Sequence, residues 1–168
     1  MNDTRSPTAH LAPFDSVAYF RALTQRNRLC RQLRFAFGQC AGLQGFYDML
    51  AAASASPNHI SIDDSSEGYI TTSGKLRTIK TVYLAMRHRA AGLQERAYCL
   101  EQMREIFRQF LSHLIRQKVR LEEQMIEFDG SIQFSEIDSS FCTGAACAFF
   151  NIAIDQPINL CFNEDEWD

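Results

Sequence analysis

The residues of this chain that could carry out chemistry are scattered along it rather than grouped in a known pattern. The four histidines are His10, His59, His88 and His113, and none stands in the His-Glu-x-x-His spacing that holds zinc. The sequence also lacks a Gly-x-Ser-x-Gly elbow, a glycine-rich phosphate loop and a dinucleotide fingerprint. We therefore predict no enzyme, cofactor or metal site. The least favoured hypothesis is an enzyme that gathers His59, Asp63 and His88 into one pocket.

The cysteines are predicted to be structural. They stand at positions 30, 40, 99, 142, 147 and 161, without any Cys-x-x-Cys pair. The closest two, Cys142 and Cys147, have no later histidine to complete a zinc site. The N-terminus lacks an apolar signal-like stretch, so we expect a reducing compartment where cysteines serve as small apolar residues. The apolar runs are too short to span a bilayer, which predicts no membrane contact.

Two acidic clusters could attract cations or basic partners. The first is Asp63, Asp64 and Glu67, and carboxylates of this kind can hold Mg²⁺ or Ca²⁺. Their spacing matches no EF-hand loop, so we interpret this cluster as a solvated turn.

The second acidic cluster surrounds the only tryptophan of the chain. Glu164, Asp165 and Glu166 precede Trp167, and Asp168 follows it. Acids near a terminus usually form a solvated tail. A large amphipathic ring within them often docks, either on its own domain or on a neighbouring molecule, and both alternatives stay open.

A group of arginines lies early in the chain. Its members are Arg21, Arg26, Arg28, Arg31 and Arg34. We favour a solvated helix face, and the alternative is a patch that accepts an acidic protein surface or nucleic acid. If the acidic cluster belonged to the next copy, a head-to-tail contact would join unlike surfaces.

Charge is separated along the sequence. Residues 1–50 carry six Lys/Arg and three Asp/Glu, a balance of +3, whereas residues 138–168 carry six acids and no Lys or Arg, a balance of −6. The sequence pI near 5.8 argues against nucleic acid as the main partner.

Periodicity predicts three helices. A first helix begins at Asp15 or Ser16 and runs to about residues 28–31, because apolar residues follow at helical spacing. Residues 43–53 form a short second helix, although one long helix over 15–53 is an alternative that three glycines oppose. The surest helix covers Leu93 to about Glu123, which contains neither glycine nor proline.

Alternation of apolar and polar residues predicts the strands. They cover 33–37, ending at Gly38, then 59–62, 69–72, 78–88, 132–136 and 146–154, with a further strand at 158–162 after Pro157. Both faces of the 146–154 strand are apolar, with Phe149 on one of them, which predicts burial on both sides or a partner surface. The fold class is therefore α+β: a small, mainly antiparallel sheet packed against one long helix, with an N-terminal helix and a short second helix. We expect a flexible leader over 1–13 and a single domain over 14–168.

The order of elements in the last ninety or so residues resembles that of phage tail-terminator and tail-completion proteins. Thr78–Arg87 corresponds to the strand before the packed helix, Leu93–Glu123 to that helix, and Gly144–Trp167 to the closing strands. The resemblance lies in pattern and transfers no signature residue. It implies a ring-forming structural protein without enzymatic activity, found in the cytoplasm of a bacterial host or in a virion, whose partners are its own copies and other virion-type proteins. The alternative function is a small binding or regulatory module for an acidic protein or nucleic acid.

From these patterns we predict an interaction surface rather than a cleft. Its candidate residues are Arg21, Arg28, Arg31, Arg34, Phe149, Glu164, Asp165, Glu166 and Trp167.

Overall fold

The computed structural model describes residues 14–52, 58–63, 67–88, 92–129, 131–138, 144–160 and 164. These residues form a mixed α and β fold whose four helices and seven strands alternate irregularly along the chain. In chain order the elements are α1 (Ser16–Arg26), α2 (Arg28–Gln32), β1 (Phe35–Cys40), α3 (Gly42–Ala52), β2 (Asn58–Asp63), β3 (Glu67–Ile70), β4 (Lys75–Arg87), α4 (Leu93–Glu123), β5 (Glu127–Phe128), β6 (Phe134–Ile137) and β7 (Ala145–Pro157). The predicted leader over 1–13 lies outside the described residues.

All seven strands belong to one sheet, which is mixed rather than mainly antiparallel as expected. The strand order is β1-β2-β4-β7-β5, with β3 also beside β4 and β6 also beside β7. The two long strands β4 and β7 pair antiparallel from Lys75 opposite Pro157 to Arg87 opposite Ala145. The prediction was wrong because β1 and β2 pair in parallel. The helix α3 connects the two strands. Because parallel strands start at the same end of the sheet, the connection through α3 must carry the chain back to the end where β1 began.

One face of the sheet packs against α1, α2 and α4 around an aromatic core. Alternation places Val82, Leu84 and Met86 of β4 on this face, as the sequence predicts. The ring of Phe150 lies 5.1 Å from that of Phe107 and 6.1 Å from that of Phe20. Because each buried ring removes a large apolar area from water, this cluster is the main source of stability on the helical side.

The opposite face, which we call the outer face, is covered by described residues only towards the Arg87 end of β4. There α3 packs on the sheet, and the ring of Phe46 stacks on Tyr83 with 4.8 Å between centroids. Towards the Lys75 end the outer face is charged, and Arg77 donates two hydrogen bonds to Asp155 at 2.6 and 2.7 Å. The two apolar faces of β7 are thus explained by helices on both sides of one half of the strand.

The first predicted helix is divided in two at Asn27. The Asp15 carboxylate caps α1 by accepting the Ala18 N–H at 2.8 Å, which settles the choice between Asp15 and Ser16. Asn27 then adopts an extended backbone, and its side chain accepts the Cys30 N–H at 2.9 Å to start α2. Asparagine is common at the start of a helix because its side-chain oxygen accepts a hydrogen bond from a backbone N–H that has no partner within the helix.

Gly38 lies inside β1 rather than ending it, contrary to the prediction. A side chain at this position would meet the Met49 sulfur of α3 at 3.0 Å. The glycine therefore marks the close approach of α3 to the strand.

The end of the chain differs from the predicted pattern. Pro157 closes β7 opposite Lys75, and residues 158–160 have no regular structure. The rest of the strand expected over 158–162 lies outside the described residues. The short strand β5 was not anticipated, because its two residues carry no readable alternation. Among the described helices, none combines the length and the apolar character needed to cross a lipid bilayer.

Candidate functional site

A depression lies between α1 and α4, and we call it the helix groove. Its volume is about 640 Å³. Two helical stripes meet along it, since its lining residues on each helix recur about every three to four positions. Its polar side chains include Tyr19, Arg26, Asn27, His113, Gln117 and Arg120.

A hydrogen bond between Tyr19 and His113 closes one part of the helix groove. The Tyr19 Oη and the His113 Nδ1 lie 2.9 Å apart. Burial raises the pKa of Tyr19 to about 12, so the phenol keeps its proton at neutral pH. Burial, followed by the charges of Arg116 and Arg26, lowers the pKa of His113 below its usual 6.5. Both groups are therefore neutral near pH 7, and they serve as a polar contact between the helices.

The charge of the helix groove is positive. Arg26 and Arg120 line it, and the charge of Arg116 helps to lower the pKa of His113. No carboxylate among the described residues pairs with any of these three arginines. Other arginines of the fold do have acidic partners, for example Arg77 with Asp155. The groove therefore presents cations together with amide and phenol donors, a combination that suits an acidic ligand.

A second depression, the outer-face groove, lies where the α3 cover ends. Its volume is about 340 Å³. Its apolar walls are Leu43, Tyr47, Tyr83, Ile137 and Phe149. Leu43 is 42% exposed although it is a large apolar residue. This groove could bury an apolar side chain of another molecule.

The outer-face groove continues into a smaller polar depression lined by Asp63, Glu67, Ile79, Thr81 and Asn151. The Thr81 hydroxyl donates to the Asn151 side chain at 2.9 Å on its floor. Asp63, which the sequence placed in a solvated turn, is buried at the end of β2 and accepts the Gly42 N–H at 3.1 Å. That interpretation was wrong for Asp63, because the carboxylate supports the start of α3, and Asp64 lies outside the described residues.

The predicted arginine surface is divided in space. The Arg21 guanidinium lies 5.6 Å from the centre of the Phe37 ring, a cation–π contact that ties α1 to β1. Arg28 and Arg31 are exposed on α2, and Arg34 follows in an exposed turn with φ +55°. These four residues do not line the helix groove.

Of the other candidate interface residues, the structure describes only Phe149 and Glu164. Phe149 is half-buried and lines the outer-face groove. Glu164 is exposed, whereas Asp165, Glu166 and Trp167 lie outside the described residues.

The histidines and cysteines do not form a reactive centre in the described part of the chain. His59 is buried in β2, four residues before Asp63, which separates the two by about 13 Å along the strand. The hypothesis that joined His59, Asp63 and His88 therefore loses its geometric basis. Cys30, Cys40, Cys99 and Cys147 are buried. Within the described ranges, no three His, Cys, Asp or Glu side chains are placed to share a metal ion.

The sequence reasoning missed the residues that build the helix groove. Tyr19, Leu23 and Arg26 recur at i, i+4 and i+7, and His113, Gln117 and Arg120 repeat the same spacing. This shared helical spacing was the signal, but the facing helix could not be known from either segment alone.

Comparison with known proteins adds no family to this picture. The chain matches no protein-family model, and no curated protein is significantly similar to it.

Proposed function

We propose that this chain is a non-enzymatic structural protein that assembles with further copies of itself, as a ring-forming component of phage tails or prophage-like particles. The outer-face groove is the observation that carries the proposal. Five apolar side chains surround a space of about 340 Å³ on a sheet face that α3 only half covers. An apolar anchor from a second copy, buried in such a groove, would supply the centre of an interface.

The separation of charge supports a head-to-tail arrangement of copies. The balance of +3 over residues 1–50 and −6 over residues 138–168 separates unlike charges along the chain, which would suit a contact between unlike surfaces of neighbouring copies. Contacts between unlike surfaces are heterologous, and they close into rings when the rotation per copy permits. The proposed setting is the cytoplasm of a bacterial host, with incorporation into a virion beside other virion-type proteins.

Sedimentation velocity over the micromolar range tests this proposal, with electron microscopy to visualise rings. The wild-type chain should sediment as a defined oligomer. Leu43→Glu places a charge in the outer-face groove and should shift the population towards the monomer. The matched control is Ile115→Glu, a change at an apolar residue of α4 that is 64% exposed and lies outside the groove. A wild-type chain that stays monomeric throughout the range would overturn the proposal.

The second candidate function is a binding module for an acidic protein or nucleic acid. It is favoured by Arg28 and Arg31, which are exposed three residues apart on α2 and have no carboxylate partner among the described residues. Binding of a short duplex DNA or an acidic peptide should then weaken as salt rises. The double variant Arg28→Gln/Arg31→Gln should reduce both the affinity and its salt dependence. Absence of binding by the wild-type chain at low salt would remove this candidate.

A further inference from the structure

Two hydrogen bonds between side chains fix the shape of the helix groove. The Asn27 Nδ2, at the end of α1, donates to the Gln109 Oε1 of α4 at 2.7 Å. Asn27 is itself held in place, because its side-chain oxygen accepts the Cys30 N–H. The second bond, between Tyr19 and His113, lies about two turns away along α1. The walls of the groove are therefore joined at two places, and a ligand would not have to organise them.

The groove carries positive charge on both walls. Arg26 of α1 and Arg120 of α4 line it and are exposed. Neither guanidinium has a carboxylate partner within the part of the chain that the structure describes. The Glu105 carboxylate accepts a hydrogen bond from Gln109, but two hydrogen bonds from Arg108 offset its charge. A ligand for this groove should therefore be an anion.

The size and the floor of the groove narrow the class of anion. A volume of about 640 Å³ is typical of sites for small molecules. Leu23 and Phe110, which are 8% and 1% exposed, give the groove an apolar floor that an apolar or aromatic group could cover. A phosphate ester offers three acceptor oxygens and a charge of about −1.5 to −2 at neutral pH, so one group can serve guanidinium groups from both helices.

We propose that the helix groove binds a small organic phosphate, whose phosphate group contacts Arg26 and Arg120 and whose apolar or aromatic part covers Leu23 and Phe110. The bound molecule would join α1 to α4 and so stabilise their packing. The helix groove lies on the helical side of the sheet, and the outer-face groove lies on the other. Ligand binding and the assembly of copies therefore use separate surfaces, and either proposal can fail without the other.

Titration of the full-length, ¹⁵N-labelled chain, followed by nuclear magnetic resonance, tests the proposal with defined probes. Phenyl phosphate and adenosine monophosphate should each produce saturable shifts at residues that line the helix groove. Inorganic phosphate lacks the ring, and phenyl phosphate should bind roughly three- to thirty-fold more tightly than it does. Benzyl alcohol lacks the charge and should leave the groove resonances unchanged.

Substitution of the two arginines tests their role. The double variant Arg26→Gln/Arg120→Gln removes two exposed cations and should weaken the binding of phenyl phosphate about two- to thirty-fold. The matched control Arg28→Gln/Arg31→Gln removes the same charge from α2, outside the groove, and should leave the affinity unchanged. Far-ultraviolet circular dichroism checks that each variant is folded.

A change on the wall of the groove gives a second, independent test. Ala22 is exposed and lines the groove, so Ala22→Glu places a carboxylate beside the bound phosphate and should weaken binding by a similar factor. Ala18→Glu makes the same change at an exposed position of α1 that does not line the groove, and it should have no effect.

Three results would overturn the proposal. Failure of both organic phosphates to cause saturable shifts at millimolar concentration would remove the site. Equal weakening by the two pairs of arginine substitutions would assign the binding to general positive charge. Equal affinities for inorganic phosphate and phenyl phosphate would exclude a contact with the apolar floor.

Discussion

The Tyr19 hydroxyl and the His113 Nδ1 lie 2.9 Å apart, although ninety-four positions separate the two residues in the sequence. Their hydrogen bond crosses the interface between α1 and α4, and both residues line the helix groove. The rings are in contact as well, with 5.9 Å between their centroids. This pair therefore reports on the packing of α1 against α4.

Removing this hydrogen bond should destabilise the fold slightly. Tyr19→Phe keeps the ring and deletes the hydroxyl, so a part-buried histidine nitrogen loses its partner. We expect the free energy of unfolding in urea to fall by about 0.5–1.5 kcal/mol. The matched control is Tyr98→Phe, because Tyr98 is 56% exposed on α4 and should change stability by less than about 0.5 kcal/mol. Equal losses for the two variants would contradict the role of the Tyr19 hydroxyl.

The titration of His113 should make stability depend on pH in a defined direction. Burial and two nearby arginines lower its pKa in the folded chain below the unfolded value of 6.5. The folded state therefore binds the proton less readily than the unfolded state. The contribution of neutral His113 is fully present above pH 6.5, and it is lost as the pH falls towards the folded pKa.

Nuclear magnetic resonance of the imidazole protons provides the measurement. The His113 midpoint should lie below 6.5, and Arg116→Gln should raise it by removing one of the charges that oppose protonation. A midpoint above 6.5 would contradict the positive potential assigned to the helix groove.

The Arg77–Asp155 pair should make the stability of the protein fall in acid. Its two hydrogen bonds are the leading cause of the lowered pKa of Asp155. Because the folded pKa lies below the unfolded value, the stabilisation is present above about pH 3.9 and is lost as the pH falls through the folded pKa. Arg77→Met should raise the pKa of Asp155 in a carboxyl-detected titration. The matched control is Lys118→Met, because Lys118 pairs with Glu122 on the exposed surface of α4, and it should leave the Asp155 titration unchanged.

The adjacent residues Phe149 and Phe150 should respond differently to truncation. Phe150 is 1% exposed on the helical face and contacts the rings of Phe20 and Phe107. Phe150→Ala should therefore cost about 3–5 kcal/mol of unfolding free energy. Phe149 is only half-buried beside the outer-face groove, so Phe149→Ala should cost about 1–2 kcal/mol. A larger loss at Phe149 would contradict the assignment of the main core to the helical face.

Much of the local structure was readable from residue types and spacing. The bounds of α4 were predicted to the residue at Leu93, because no glycine or proline interrupts the apolar stripe before Glu123. The alternation of Val82, Leu84 and Met86 assigned one face of β4 correctly, since successive side chains of a strand point to opposite sides. The break at Asn27 was missed, because apolar residues keep their helical spacing across it.

The sequence by itself determined where most of the helices and strands lie and which face of α4 and of β4 is apolar. Only the tertiary structure decided the parallel pairing of β1 with β2, the place of Gly38 beneath α3 and the meeting of Tyr19 with His113. The physical reason is that hydrophobic periodicity is a property of one segment, and it specifies only which face of that segment is apolar. Which faces meet depends on contacts between distant segments, and those are selected by the packing of the whole core.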